Sequence, residues 1–264
     1  MNSSSDGSSK EKTHLCKSYQ RNVTSIMTLG VFHQVFNNQK ATEEAIKSFR
    51  QFHPDNKYVL ICDGGEDFSE IAKKYDCLYL HEEDNLGYRD HNHDSGIYGM
   101  TKEEVLEWLR RFRMACTLCN TDHIIMMEDD ILIRGEIHVP EEWEFAGQAK
   151  PGNLLQEPFT DYLTEKYGVE WNVNYYGTGG GSIFNAKTFL ENYERVIKIF
   201  DEEFDYIKEN LCGNLGWVDV WMPMYYFLCG KQYRHNNLLT ETTSNPIWTI
   251  SKEPIVHQYK VHYV

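Results

Sequence analysis

Residues 123–130 read HIIMMEDD, and this stretch decides the expected fold. After the histidine comes a short apolar run of the kind that forms a strand buried on both faces of an α/β sheet. Three carboxylates, Glu128, Asp129 and Asp130, follow the strand directly. Ligands of open parallel sheets bind beyond the carboxyl ends of the strands. The sequence therefore predicts an acidic cluster at the rim of a cleft.

The acidic triplet has two interpretations. Three consecutive carboxylates repel one another and are stabilised by a positive partner. Hard divalent cations such as Mg2+ and Mn2+ bind oxygen ligands and often hold substrate phosphates too. The alternative is a solvated acidic turn, since acidic residues are common in turns. The triplet alone leaves both interpretations open.

Length, composition and charge limit the classes of protein to which this chain can belong. The chain has 264 residues, of which 41% are apolar, enough for one domain with a sizeable core. Its formal net charge of −14 argues against a nucleic-acid surface. It has no apolar run of membrane-spanning length and no secretory-signal pattern at its start, so we expect a cytoplasmic protein. The seven scattered cysteines indicate free thiols in a reducing compartment.

The first half of the chain alternates strands and helices. Residues 1–20 read as a disordered polar tail, and residues 21–264 as one folded domain. Strands are predicted at 25–32, 57–62 and 77–80, with helices at 41–52 and 68–75 between them. A helix capped by Thr101 and Glu104 is predicted to run to about Asn120. This alternation predicts a mainly parallel sheet with helices on both faces.

The second half is less regular. Residues 140–175 have weak periodicity and read as loops and short elements that shape a cleft. Residues 177–182 are too rich in glycine for an ordinary strand, and glycines let a backbone approach a ligand closely. A helix is predicted at 189–211, with a further helix at 223–228.

Two aspartates could carry chemistry, and each has a structural alternative. Asp63 ends a strand and could accept hydrogen bonds from a ribose or a base edge, or it could simply end the strand in a turn. Asp219 lies between Trp217 and Trp221. Indoles can stack on a sugar while a partly desolvated carboxylate acts as a general base. The alternative is a helix-starting aspartate beside core tryptophans.

Two basic residues late in the sequence are further candidates for a binding site. A neutral imidazole at His257 could bind a metal, and Lys260 could pair with a phosphate. A lone histidine is more often structural. The loop that contains His91 and His93 is an alternative metal candidate.

Together these stretches resemble nucleotide-sugar glycosyltransferases of the GT-A fold, over residues 25–264. That resemblance implies an α/β Rossmann-like single domain, with a donor half at 21–135 and an acceptor half at 136–264. The acidic triplet matches the family's DXD motif. The resemblance implies Mn2+ or Mg2+ bound by Asp130, with Glu128 as a second ligand and His257 completing the shell.

The same resemblance implies roles for further residues. The segment Asn85 to Tyr88 looks like the one that lines the donor nucleotide. The full set implied for the donor nucleotide is Phe32, His33, Asp63, Asn85, Tyr88, Arg89, Asp129 and Lys260. Galactosyltransferase-like members have a similar later motif order, which implies sugar or acceptor contacts at Gly180, Gly181, Trp217 and Trp221. It also implies Asp219 as general base of an inverting transfer, although Val218 replaces the family's glutamate.

The resemblance thus implies a metal-dependent transfer from a nucleotide diphosphate sugar, with UDP-sugars favoured, to a hydroxyl of a glycan or glycoprotein acceptor. Compact transferases of large algal viruses are a further likeness. Two alternatives stay open. A sugar nucleotidyltransferase is expected to carry a glycine-rich basic loop after the first strand, where this chain reads FHQVFNN at 32–38. A non-catalytic carbohydrate-binding protein could share the fold.

Overall fold

The centre of the fold is a sheet built on the strand that precedes the acidic triplet. A computed structural model of the protein describes residues 27–86, 100–147, 150–151, 157–169, 175–176, 179–210, 218–242 and 249–258. The predicted tail at 1–20 lies outside these ranges. Among the described helices, none is long and apolar enough to cross a lipid bilayer.

The predicted alternation of strands and helices is confirmed. Up to the acidic triplet the elements are β1 (Leu29–Val35), α1 (Gln39–Phe52), β2 (Tyr58–Asp63), α2 (Ser69–Lys74), β3 (Leu78–Glu82), α3 (Lys102–Cys119) and β4 (His123–Met127). After it come β5 (Leu132–Ile133), β6 (Phe145–Gly147), β7 (Lys150–Pro151), α4 (Glu157–Tyr167), β8 (Tyr175–Tyr176), β9 (Ile183–Asn185), α5 (Ala186–Asn210), α6 (Val218–Leu228), β10 (Tyr233–His235), β11 (Leu239–Glu241) and β12 (Ile255–His257).

The main sheet is mixed and mainly parallel. Its seven strands lie in the order β10-β6-β9-β4-β1-β2-β3. The pairs β4–β1, β1–β2 and β2–β3 are parallel, and β9 runs antiparallel to both β4 and β6. A smaller sheet has the order β11-β12-β5. The carboxyl ends of β1, β2 and β4 therefore meet at one edge, where the acidic triplet begins.

Helices cover both faces of the main sheet, as predicted. Alternate residues of a strand point to opposite faces. On β4, Ile124 belongs to the core under α3, α5 and α6, whereas Ile125 belongs to the core under α1 and α2. On β1, Phe32 and Val31 divide in the same way. Each central strand is thus buried on both sides, which is why it reads as a continuous apolar run.

Helix α3 begins where its capping signal predicted. The Thr101 hydroxyl accepts a hydrogen bond from the Glu104 amide at 3.2 Å, and the Glu104 carboxylate accepts one from the Thr101 amide at 2.8 Å. The capping box that the sequence predicted is therefore confirmed. Together these bonds satisfy two backbone donors that a helix start otherwise leaves open.

Strand β1 runs farther than predicted, to Val35 instead of Phe32. Two polar residues made the end of the strand look like a loop. His33 is nonetheless fully buried, because its Nδ1 lies 2.8 Å from the Tyr58 hydroxyl and its Nε2 lies 3.3 Å from Asp129 Oδ1. The contact with Tyr58 is a hydrogen bond, whereas Nε2 is close to the Asp129 carboxylate without hydrogen-bond geometry.

Helix α4 lies in the region that we expected to form loops and short elements. It packs on α5 through a polar cluster around Glu203, a carboxylate with only 5% exposure. That carboxylate accepts hydrogen bonds from the hydroxyls of Tyr162 and Tyr167 and pairs with Lys166. These contacts join α4 to α5, which lies elsewhere in the sequence. The apolar periodicity of α4 itself is weak, and for that reason the sequence did not predict this helix.

A buried ion pair ties β2 to α3. Arg111 Nη1 lies 2.5 Å from Asp63 Oδ1, and the two side chains are 1% and 0% exposed. The same carboxylate accepts a hydrogen bond from the Leu86 amide at 2.8 Å, and Arg111 Nη2 donates to the Asp84 carbonyl at 2.9 Å. The pair therefore fixes the loop that follows β3.

We expect Arg111→Leu to destabilise the fold by about 3–5 kcal/mol, because it leaves the Asp63 carboxylate buried without its guanidinium. The measurement is the free energy of unfolding in urea. Arg110→Leu is the matched control on the same helix. Arg110 is 46% exposed and pairs with surface carboxylates, so its replacement should cost under about 1 kcal/mol. Equal losses in the two variants would contradict the structural role of the buried pair.

Candidate metal centre

Three groups that can bind a metal meet beyond the end of β4. Glu128 is the first residue after the strand, and Asp130 follows two positions later. His257 Nε2 lies 3.5 Å from Glu128 Oε2 and 3.7 Å from Asp130 Oδ1. The three ligand atoms all lie within 4.8 Å of one another. The structure thus brings together the three residues that the sequence predicted as metal ligands.

His257 reaches this position through the small sheet. Strand β12, which ends at His257, runs antiparallel to β5, with Val256 opposite Leu132 and Ile255 opposite Ile133. Strand β5 begins just after the acidic triplet. The pairing therefore places the end of β12 beside Glu128 and Asp130, although the two segments are far apart in sequence.

A third carboxylate lies behind the imidazole. Glu241 Oε1 is 3.2 Å from His257 Nδ1, on the opposite side of the ring from Glu128 and Asp130. Burial alone lowers the pKa of His257 from its ordinary 6.5, but hydrogen bonds to Glu128 and Glu241 and the negative charges nearby outweigh burial and raise that pKa to about 10. Three carboxylates thus create a site that strongly favours positive charge.

The donor set fits a hard divalent cation. Two carboxylates and one imidazole suit Mn2+ or Mg2+, since carboxylates bind these ions and an imidazole can complete a shell. Asp130 and His257 are almost buried, whereas Glu128 is about one-third exposed. A cation at this point could therefore reach solvent, or a ligand, on the Glu128 side.

Residues 179–181 of the glycine-rich segment pack close to the candidate metal ligands. A Cβ atom on Gly180 would lie 2.7 Å from Ile131 Cδ1 and 3.2 Å from Glu128 Cβ. A Cβ on Gly179 would lie 3.3 Å from His257 Cε1. Gly181 has φ +86° and faces Ile255 and Leu239. Gly180 and Gly181, which we predicted at the sugar site, are both buried, and protein atoms occupy the space that a side chain would need.

The middle residue of the triplet is held away from the other two. The Asp129 carboxylate accepts a hydrogen bond from the Thr42 hydroxyl at 2.7 Å and lies 3.3 Å from His33 Nε2. Both partners belong to elements packed beside β4. The predicted nucleotide contacts of Asp129 and His33 stay predictions, and the observed contacts of both side chains are with each other and with neighbouring protein groups.

Other predicted binding residues lie in the core. Phe32 packs edge-on against Trp108 and Phe112 at 5.3 and 5.2 Å between ring centroids. Trp221 is 1% exposed and stacks on Phe204 at 5.1 Å. These side chains have no exposed face to offer a ligand, and Asp63 is engaged by Arg111 as described above. The sequence indicated that Phe32 and Trp221 are apolar and that Asp63 ends a strand. It did not indicate which neighbours cover them.

Several predicted residues lie outside the described part of the chain. They are Tyr88, Arg89, His91, His93, Trp217 and Lys260. Asp219 lies in the first turn of α6, and its side chain is outside what the structure describes. Asn85 is half-buried in the loop after β3.

Sequence reasoning missed residues that support the centre. Thr42 holds Asp129, Arg111 holds Asp63, and Glu241 holds His257. The sequence placed the threonine and the arginine within predicted helices, and it predicted no element around Glu241. No local pattern distinguishes these residues from ordinary ones, because their roles depend on contacts between distant segments.

The raised pKa of His257 predicts a pH dependence of stability without metal. The folded protein holds this proton more tightly than the unfolded chain, so the stabilisation is complete below pH 6.5 and is lost as pH rises through about 10. The difference in unfolding free energy between wild type and His257→Gln, measured in chelator, should shrink over that interval. His138→Gln, at an exposed histidine, should keep the wild-type profile. A constant difference between wild type and His257→Gln would contradict the pKa shift.

Comparison with known proteins identifies the fold. No protein-family model matches the chain, and no curated protein matches it by sequence. Among solved structures, galactosyltransferase LgtC in complex with donor and acceptor sugar analogues matches with a TM-score of 0.53 and 14% identity, over 87% of this chain and 86% of that one. An active-site mutant of LgtC matches with a TM-score of 0.51 and 12% identity over the same shares. The chain therefore has the GT-A fold.

Proposed function

We propose that the chain is a metal-dependent glycosyltransferase that moves a sugar from a nucleotide diphosphate sugar, with UDP-sugars favoured, to a hydroxyl of a glycan or glycoprotein acceptor. One observation carries the proposal. Glu128, Asp130 and His257 meet beyond the carboxyl end of a central strand, in a fold shared with a galactosyltransferase that binds donor and acceptor sugar analogues. That edge of a parallel sheet is where ligands bind.

The metal residues would act on the leaving group. Glu128, Asp130 and a neutral His257 would hold Mn2+ or Mg2+, which supplies positive charge to a diphosphate as it departs. The partial exposure of Glu128 leaves one side of the group open to such a ligand. The Asp129 carboxylate instead contacts Thr42 and His33, and it is not one of the three residues that would hold the ion.

Donor binding would use the loops around that edge. Asn85, Tyr88 and Arg89 come after β3 in the sequence, and Asp63 and Arg111 fix the described residues there, through Leu86 and Asp84. Lys260 follows β12 closely, and a lysine there could pair with the diphosphate as a point charge. Phe32 and Asp63 would support this region from the core and need not touch the nucleotide.

Asp219 is proposed as the general base. It lies in the first turn of α6. In an inverting transfer the acceptor oxygen attacks the anomeric carbon, the bond from that carbon to the diphosphate oxygen breaks, and Asp219 takes the proton of the acceptor hydroxyl. The transition state has oxocarbenium character. Trp217, two residues earlier, is proposed as a stacking surface for the sugar.

We expect Asp130→Asn to abolish metal-dependent nucleotide binding and to lower the transfer rate by roughly a hundredfold or more, because it removes a charged metal ligand. The measurement is calorimetry with UDP and GDP, with and without Mn2+, followed by a donor-sugar screen.

Glu136→Gln is the control for the loss of a carboxylate elsewhere. Glu136 is an exposed residue that pairs with His138, so its replacement should leave nucleotide affinity unchanged. If wild type and Asp130→Asn bound nucleotide equally well, the metal assignment would be wrong. Nucleotide binding by wild type that does not depend on metal would instead favour a binding protein without this chemistry.

We expect Asp219→Asn to bind the metal and the nucleotide normally but to transfer sugar at least about a hundredfold more slowly, because a general base contributes that much to such a step. Proton NMR of the product should show an inverted anomeric configuration. A retained configuration, or a normal rate in Asp219→Asn, would remove the general-base role from this residue.

A further inference from the structure

We infer that Glu241 is a positioning residue for the metal-binding imidazole: it holds His257 in the tautomer and the orientation that present Nε2 to the cation. This inference rests on the proposed metal-dependent function. The two ring nitrogens lie on opposite edges of the imidazole. Glu241 Oε1 contacts Nδ1 at 3.2 Å, while Nε2 faces Glu128 and Asp130. Glu241 and a cation would therefore use different nitrogens.

The contact between Glu241 and His257 is built into the small sheet. The two residues are direct partners in the parallel pairing of β11 with β12. Just beyond them, the Thr242 amide donates to the His257 carbonyl at 3.1 Å, and the Thr242 hydroxyl donates to the Gln258 carbonyl at 2.8 Å. These contacts hold the two strands in the register that places Glu241 beside His257.

Both residues of this contact are buried. Glu241 is 5% exposed, and His257 is 9% exposed. A buried carboxylate is costly unless charged or hydrogen-bonding groups offset its desolvation. Glu241 lies on a strand whose other residues, Leu239 and Thr240, are also buried. Its proximity to the ring is therefore a specific arrangement and not the chance contact of an exposed side chain.

The chemistry explains the arrangement. A neutral imidazole carries one N–H, which either ring nitrogen can hold. An acceptor at Nδ1 keeps the proton there and leaves the Nε2 lone pair for a metal, and it also makes the ring a stronger ligand. A Cβ on Gly179 would lie 3.3 Å from His257 Cε1, so a larger residue there would crowd the imidazole.

The test measures the affinity of the whole chain for Mn2+ in the absence of nucleotide. The protein is titrated with Mn2+, and electron paramagnetic resonance detects the Mn2+ that stays free in solution. We expect Glu241→Gln to weaken Mn2+ binding about 10–100-fold, the usual effect of losing such a partner. Glu203→Gln is the matched control, since Glu203 is also a glutamate with 5% exposure but belongs to the contact between α4 and α5. It should leave the Mn2+ affinity unchanged, even if it lowers the melting temperature.

A double-mutant cycle separates positioning from general electrostatics. If Glu241 acts through the ring, Glu241→Gln should cause no further loss of Mn2+ affinity once His257 is replaced by alanine. An equal loss in both backgrounds would overturn the inference. Glu241→Asp keeps the charge but shortens the side chain, and it should give a partial loss in a protein that stays folded.

The outcomes distinguish this inference from the proposed function. If Asp130→Asn lost Mn2+ binding while Glu241→Gln and Glu241→Asp both kept it, Glu241 would have no positioning role and the metal centre would stand. If wild type bound no Mn2+, both the metal centre and the role of Glu241 would be refuted.

Discussion

The antiparallel pairing of β12 with β5 is the interaction on which the candidate centre depends. It joins a segment near the end of the chain to the residues that follow the central strand. Ile255 and Ile133 are partners in this pairing and are both buried, so apolar packing holds the two segments together. The position of His257 beside Glu128 and Asp130 follows from that register, and a shift by one residue would turn the ring to the other face of the sheet.

Much of the main sheet could be predicted from the sequence because its signals are local. Short apolar runs bounded by turn residues marked β2 and β4, and the capping box marked the start of α3. Glu128 and Asp130 could be proposed as metal ligands because the acidic triplet directly follows a strand that the sequence predicts to be buried. The inclusion of His257 depended on the resemblance to a family, since nothing in its local sequence separates it from a structural histidine.

The rest could not be predicted because it depends on contacts between distant segments. Trp221 looked suited to stack on a sugar, but residues of α5 cover it completely. His33 looked like part of a loop, but it lies in β1, with Tyr58 and Asp129 beside its ring nitrogens. Glu241 gave no signal at all. In each case the side chain was visible in the sequence, and the neighbour that decides its role was not.

The candidate metal ligands come from two segments that are far apart in the sequence, and this has a consequence for biosynthesis. A chain that emerges from the ribosome contains the acidic triplet long before it contains β12. Contacts between such distant segments form only after the intervening chain has been closed into a loop. A partly synthesised chain therefore presents carboxylates without their imidazole, and a fully formed ion site becomes possible only once β12 has been added to the small sheet.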